Sequence, residues 1–272
     1  MPKKDIDLSF LVQGIERLEL PSKGILYDAK NPMSSGFVHI RPWLTAEEKL
    51  IDKFNRNNYY SILKRLVESA VEEKVDAGEM SLGDFFYILY WIRQITYGSA
   101  YSTNIICPHC GLDVITEIDM SDFDVTYLPD DIKEPIEMEM PISKIKCKLR
   151  LPRIKDIIEA TESTHSVAKK MGVNISPELF KTARCVNEMV LNNKEQDILT
   201  DKDDFVYMLN TIWPRISAAD YNAVKERIND YEHGYIGTTF TKCPKCENLI
   251  EQAAMLSFSF FRADDRKSNT DN

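Results

Sequence analysis

Four of the chain's six cysteines stand in two phrases of one grammar, Cys107-Pro108-His109-Cys110 and Cys243-Pro244-Lys245-Cys246. A Cys-x-x-Cys turn presents two thiolates from one bend of backbone, and a structural zinc ion takes four ligands in a tetrahedron. Cys107, Cys110, Cys243 and Cys246 are therefore the candidate ligands of a structural Zn2+. Four sulfurs leave no position for water or substrate, which argues against a catalytic metal. Two other states stay open at this level: unmetallated thiols in unrelated turns, and a redox pair. The redox pair is disfavoured because neither phrase sits where a strand enters a helix, the setting that lowers a thiol pKa. His109 is poorly spaced for ligation beside Cys107 and Cys110 and is expected in solvent. Cys147 and Cys185 are isolated and read as small apolar filler.

Each phrase needs a hairpin to present it. Thr103 to Ile106 leads into the first and Asp113 to Ile118 leads out. Ile236 to Thr241 leads into the second, and Leu249 to Phe261 leads out, with Leu256, Phe258 and Phe260 on one face of a strand. The two phrases are 132 residues apart (243 − 110 − 1). Going from ~16 to ~130 loop residues adds only about 2 kcal/mol of closure entropy. A structural zinc contributes about 10–16 kcal/mol at neutral pH, so the separation is no obstacle.

The elements around these hairpins follow from local patterning. Leu18 to Gly24 reads as a strand end and a tight turn, and Gly36 to Arg41 as a short strand. Thr45-Ala46-Glu47-Glu48 has the form of a capping box with Thr45 as cap and Glu48 reaching back, ahead of a helix over 46–54. Ile62, Leu63, Leu66, Val67, Ala70 and Val71 share one face of a helix over 60–75. Ser81 caps a second, strongly apolar helix that ends near Gly98; its aromatics Phe85, Phe86, Tyr87, Tyr90 and Trp91 read as core. Between the cysteine phrases lie an acidic stretch over 120–135, strands over 136–140 and 145–151, and helices over 154–170, 177–191, 203–213 and 218–231.

The expected fold class is α+β: an N-terminal helical part, a four-cysteine zinc-ribbon-like β element assembled from two distant turns, and an inserted mixed, largely helical domain. By residue this gives an extended segment with short strands over 1–44, helices over 45–100, the ribbon-like element over 101–120 and 236–262, the insert over 121–235, and a disordered tail over 263–272.

Composition narrows the function. The chain has 272 residues, 43% of them hydrophobic and 28% charged, as in an ordinary globular protein. Its net charge is −9, which disfavours nucleic acid as a partner. The longest apolar run, Phe85 to Ile92, is too short to span a bilayer. Acidic Asp5 and Asp7 interrupt any signal-peptide pattern, so a cytosolic protein is expected. No GxxxxGK[ST], GxGxxG or HExxH phrase occurs, and His39, His165 and His233 have no catalytic grammar around them. Met138, Met140, Met171, Met189 and Met208 read as adaptable packing.

Leu20-Pro21-Ser22-Lys23-Gly24-Ile25-Leu26-Tyr27 and Ile40-Arg41-Pro42-Trp43-Leu44-Thr45-Ala46-Glu47-Glu48, followed by a Cys-Pro-x-Cys phrase, resemble the baseplate hub assembly proteins of T-even-like contractile-tailed bacteriophages. The resemblance is best over residues 18–120, and Asp220 to Glu232 is similar to segments of phage tail assembly proteins. It implies a non-enzymatic late protein that helps build the central hub through contacts with other hub and tail proteins. It implies no small-molecule substrate and no catalytic residue. The place of action it implies is the cytoplasm of the infected bacterium, with some members remaining in the virion. The alternative reading is a zinc-ribbon adaptor for nucleic acid or a transcription component, prompted by Lys242 and Lys245 at the second turn.

Overall fold

The computed structural model describes residues 14–55, 57–163, 176–191, 197–236, 238–253 and 258–261. His165, Met171, Leu256 and the tail over 263–272 lie outside them. The architecture is α+β, with seven α-helices and small antiparallel sheets among the described residues.

Strand β1 (Glu16–Glu19) pairs with β2 (Phe37–Ile40), Leu18 opposite Val38. Helices α1 (Thr45–Ile51), α2 (Tyr59–Ala70) and α3 (Leu82–Tyr97) follow. The expected capping box at α1 is displaced by one residue. Thr45 is inside the helix, Leu44 holds the cap position, and the Leu44 N–H donates to Glu47 Oε2 at 2.7 Å. Arg41 fixes this choice by holding Glu47 at 3.1 Å, while Glu48 accepts from Tyr97 Oη. Helix α2 stops at Ala70 instead of continuing to Val75. The free edge of β2 captures the chain there: Arg41 N–H donates to Ala70 O, and Glu72 N–H to His39 O. Ser81 caps α3 as expected, accepting from the Asp84 N–H at 3.2 Å.

These elements enclose the first apolar core, to which α2 gives Ile62, Leu63, Leu66, Val67 and Ala70, and α3 gives Phe85, Tyr87, Ile88, Leu89, Tyr90 and Ile92. Phe86 and Trp91 pack against its margin, so the aromatic stripe is core. Arg93 is also fully buried and donates to the carbonyls of Gly98, Ala100 and Phe260. Its planar fork of donors satisfies three backbone acceptors at once.

Strands β3 (Ala100–Ile106) and β4 (Asp113–Asp119) form the first cysteine hairpin. After β5 (Asp124–Thr126) come β6 (Ile136–Glu139) and β7 (Lys146–Leu149), then α4 (Ile154–Ile158). The described part of the expected 154–170 helix widens from α4 into a π turn over Glu159–Ser163. Helix α5 (Pro177–Arg184) ends seven residues before the expected Leu191, because the chain turns into β8 (Val186–Val190). Here β7 offers an open edge and β8 covers it, burying Val186 and Met189 in the second core. Tertiary pairing outweighs the helical pattern. Strand β9 (Ile198–Thr200) completes a four-stranded sheet of order β6-β7-β8-β9.

Helix α6 (Asp201–Tyr207), capped by Thr200, passes into a π turn and a 3-10 turn through Trp213. Helix α7 (Ala218–Asn229) and β10 (Gly234–Ile236) follow, and β10 pairs with β5. Where β10 begins, backbone crosses backbone. A Cβ on Gly234 would lie 2.6 Å from Gly83 O, and one on Gly83 would lie 2.4 Å from His233 O, so both positions need glycine. The second cysteine hairpin is β11 (Thr238–Lys242) with β12 (Leu249–Ala253). The expected strand through Phe258 and Phe260 is instead a 3-10 turn over Phe258–Phe261. Phe260 and Phe261 are adjacent and both buried in the first core, which a strand's alternation cannot provide.

Candidate metal centre

The two hairpin tips repeat one backbone design. In the first, Cys107 N–H donates to Leu112 O and Gly111 N–H to Cys107 O, each at 2.9 Å. In the second, Cys243 N–H donates to Asn248 O and Glu247 N–H to Cys243 O, again at 2.9 Å. The left-handed position of the turn is Gly111 (φ 69°) in one and Glu247 (φ 60°) in the other. Each turn thereby aims its two sulfurs to the same side.

The hairpins bring those pairs together. Cys107 Sγ lies 3.6 Å from Cys246 Sγ, and Cys110 Sγ lies 3.6 Å from Cys243 Sγ. All four sulfurs lie within 4.8 Å of one another. Four thiolates at about 2.3 Å from a tetrahedral zinc would stand about 3.8 Å apart, so the cluster fits that ion in donor type and spacing. Cys107 and Cys243 are buried, and Cys110 and Cys246 are half-buried. Beneath them Ile105, Val114 and Ile250 form a small apolar floor, and Thr116 Oγ1 meets Thr241 Oγ1 at 2.6 Å between the hairpins. Backbone N–H groups of Cys246 and Lys245 face Cys243 and lower its thiol pKa, while at Cys110 the lowering by the Leu112 N–H is outweighed by burial and the neighbouring thiols, which raise its pKa, so the sulfurs share their protons unequally.

The remaining candidates fall elsewhere. His109 is exposed and outside the sulfur cluster. Cys147 and Cys185 are buried apart from it, and burial pushes both thiols up to about 12, as suits inert filler. His39 meets Glu73 at 2.7 Å on the surface.

Sequence reasoning missed the joint at the start of α3. His233 Nε2 lies 2.8 Å from Ser81 Oγ, and its Nδ1 lies 2.9 Å from Tyr231 O. A carbonyl stands where a catalytic triad would place a carboxylate, and Ser81 is completely buried. The pair thus joins two parts of the chain. Beside it, buried Asp84 accepts from Ser22 N–H at 2.9 Å and Tyr27 Oη at 2.6 Å. Burial and then Asp84 raise the Tyr27 pKa, keeping that donor protonated. The Leu20 to Tyr27 phrase is therefore seated on the first turn of α3. A cleft of about 250 Å³ nearby is lined by Leu82, Phe86, Lys181, Lys225, His233 and Tyr235. Both of its lysines are engaged by Glu178, at 3.0 and 3.4 Å.

No curated protein and no solved structure matches the chain. A family model described as T4 bacteriophage base plate protein matches residues 19–258, a span that contains both cysteine hairpins and most of the three apolar clusters. By that match over most of its length, the chain belongs to the T4 bacteriophage base plate protein family.

Proposed function

We propose that this protein is a non-enzymatic component of the baseplate hub of a contractile phage tail, acting in assembly or structure through contacts with other hub and tail proteins. In this reading a structural zinc on Cys107, Cys110, Cys243 and Cys246 clamps two hairpins from distant parts of the chain into one ribbon. Bound there, the ion supplies cross-linking and charge neutralisation and no reaction. The observation that carries the reading is the convergence of four sulfurs from far-separated turns inside a chain of the base plate family. A rigid, pre-formed surface lowers the ordering cost of association. Assembly takes place in the cytoplasm of the infected cell, and the protein stays in the virion baseplate. No described helix is long and apolar enough to cross a membrane.

The surface near the metal offers the adaptor alternative an exposed Lys245 and little more. Lys242 lies 3.8 Å from Glu247, and Asp113 and Glu117 are exposed on the other hairpin. These charges support a protein partner over a phosphate backbone.

The test pairs metal analysis with assembly. Purified protein is expected to contain one zinc per chain by elemental analysis. Phage carrying Cys110→Ser or Cys246→Ser is expected to lose both the metal and functional baseplates. Normal baseplates built with metal-free protein would refute the link.

A further inference from the structure

Among the described residues, five large apolar side chains are more than 60% exposed, and four of them lie on the cysteine hairpins: Ile106, Ile115, Phe240 and Leu249. The alternation along β3 and β4 explains their position. Tyr101, Thr103, Ile105, Val114, Thr116 and Ile118 face inward and are buried. Asn104, Ile106, Asp113, Ile115 and Glu117 face outward and are exposed. Ile106 stands opposite Asp113 and diagonal to Ile115 on the same face. Neither isoleucine contributes to the apolar floor beneath the sulfurs. Strongly exposed large apolar side chains gathered on one face, rather than scattered singly, point to a contact surface.

The outer face of the second hairpin has the same diagonal plan, with Phe240 opposite Glu251 and Leu249 opposite Lys242. Charge separates the two faces. The first carries Asp113 and Glu117 with no basic residue among its outward positions, whereas on the second Lys242 and Glu251 balance.

We propose that the outer face of β3 and β4 is the docking surface for another protein of the same baseplate, one that offers an apolar centre rimmed by lysine or arginine. The inference rests on the baseplate reading and names the surface it uses. A second copy of this chain is a poor occupant. Its own first face would set Asp113 and Glu117 against their like, and its second face has no surplus positive charge to offer.

The full chain is titrated against the individually purified baseplate and tail proteins of the same phage, at low and at physiological salt. One of them is expected to bind, more weakly as salt rises. Ile106→Ser with Ile115→Ser, and separately Asp113→Lys with Glu117→Lys, are expected to weaken that binding at least tenfold. Phe240→Ser with Leu249→Ser is expected to leave it within twofold. Reversing a basic residue of the partner is expected to restore binding to the Asp113→Lys, Glu117→Lys chain.

The proposal is overturned if no probe binds, if both first-face variants bind as the unaltered chain does, or if the second-face variant loses as much. It is also overturned if Ile106→Ser with Ile115→Ser instead abolishes self-association in sedimentation. Metal content and amide protection are measured on every variant, so that a misfolded chain is not read as a lost contact. Should baseplates incorporate the first-face variants with normal binding, the surface falls and the baseplate reading stands. Should baseplates form without the protein altogether, the wider reading falls too.

Discussion

The N-terminal core and the two-hairpin element reach a defined structure by opposite means. In the first, 28 buried apolar residues pack together, most of them from β1, β2, α1, α2, α3 and the returning Phe260–Phe261 turn, with Tyr101 and Ile118 from the base of the first hairpin among the others. In the second, next to the sulfurs, the two hairpins share among the described residues a buried apolar cluster of only Ile105, Val114 and Ile250 besides the cysteines. So small a cluster gives the two tips little apolar burial to hold them together. The sulfur cluster is the group positioned to do so, and the core has no need of it.

The largest effect expected from breaking this contrast is at the sulfurs. Cys107→Ser or Cys243→Ser should remove the metal and unfold the hairpins while the core persists, since ~10–16 kcal/mol of apparent binding energy goes with the ion. Hydrogen exchange checks this: amides of 103–116 and 238–253 should lose protection while those of α2 and α3 keep it. The converse is Leu66→Ala in the core, where the side chain is completely buried. It should lower global stability by about 2–5 kcal/mol with metal content unchanged. A denaturant titration with parallel metal analysis separates the two results.

What could be read from the sequence follows the same division between local and distant causes. Both cysteine turns and the capped helix α3 were legible because proline, cysteine spacing and Ser81-x-x-Asp84 act within a few residues. Strand β8 was not, because Val186 to Val190 takes its conformation from the open edge of β7, set some 40 residues earlier. Glu47 displaced Glu48 at the α1 cap because Arg41 holds it from outside the helix. Likewise the Ser81–His233 contact spans positions 152 apart, and no local pattern marks it. The four sulfurs were legible despite a comparable separation because matching turn grammar, unlike a single histidine, names its partner.

A pH-dependent contrast lies in the second core. Asp220 is buried, which works against its charge, but N–H donors of Ile142 at 2.7 Å and Ser143 at 3.1 Å outweigh that and hold its pKa below the usual carboxylate value. A depressed folded-state pKa stabilises the fold above the unfolded value of about 3.9, and this contribution is lost as pH falls through the folded value. Asp220→Asn should therefore lower stability at neutral pH by about 1–2 kcal/mol and flatten the acid limb below about pH 4. Thermal unfolding between pH 2 and 7 checks both parts, and an unchanged acid limb would show that Asp220 is not the group responsible.

The finest contrast is between the two cysteine turns themselves. Gly111 and Glu247 hold the same left-handed position, at φ 69° and 60°. A side chain there costs about 1–2 kcal/mol, whereas glycine adds about 0.5–1 kcal/mol of backbone freedom to be lost on folding. A Cβ on Gly111 would meet nothing within 4 Å, so Gly111→Ala tests conformation alone. With the backbone freedom of glycine subtracted, it should weaken metal binding about threefold, the equivalent of about 0.7 kcal/mol. Glu247→Gly should act the other way and more weakly, tightening binding about twofold, because the same balance is partly offset by loss of the pair with Lys242. The Lys242–Glu247 pair does not reverse this sign, because at 3.8 Å with side chains 66% and 81% exposed it contributes little. Competition with a chelator of known affinity reads both changes, and if the glycine at 247 weakened binding, the second turn would owe its shape to Glu247 rather than to the cysteines it carries.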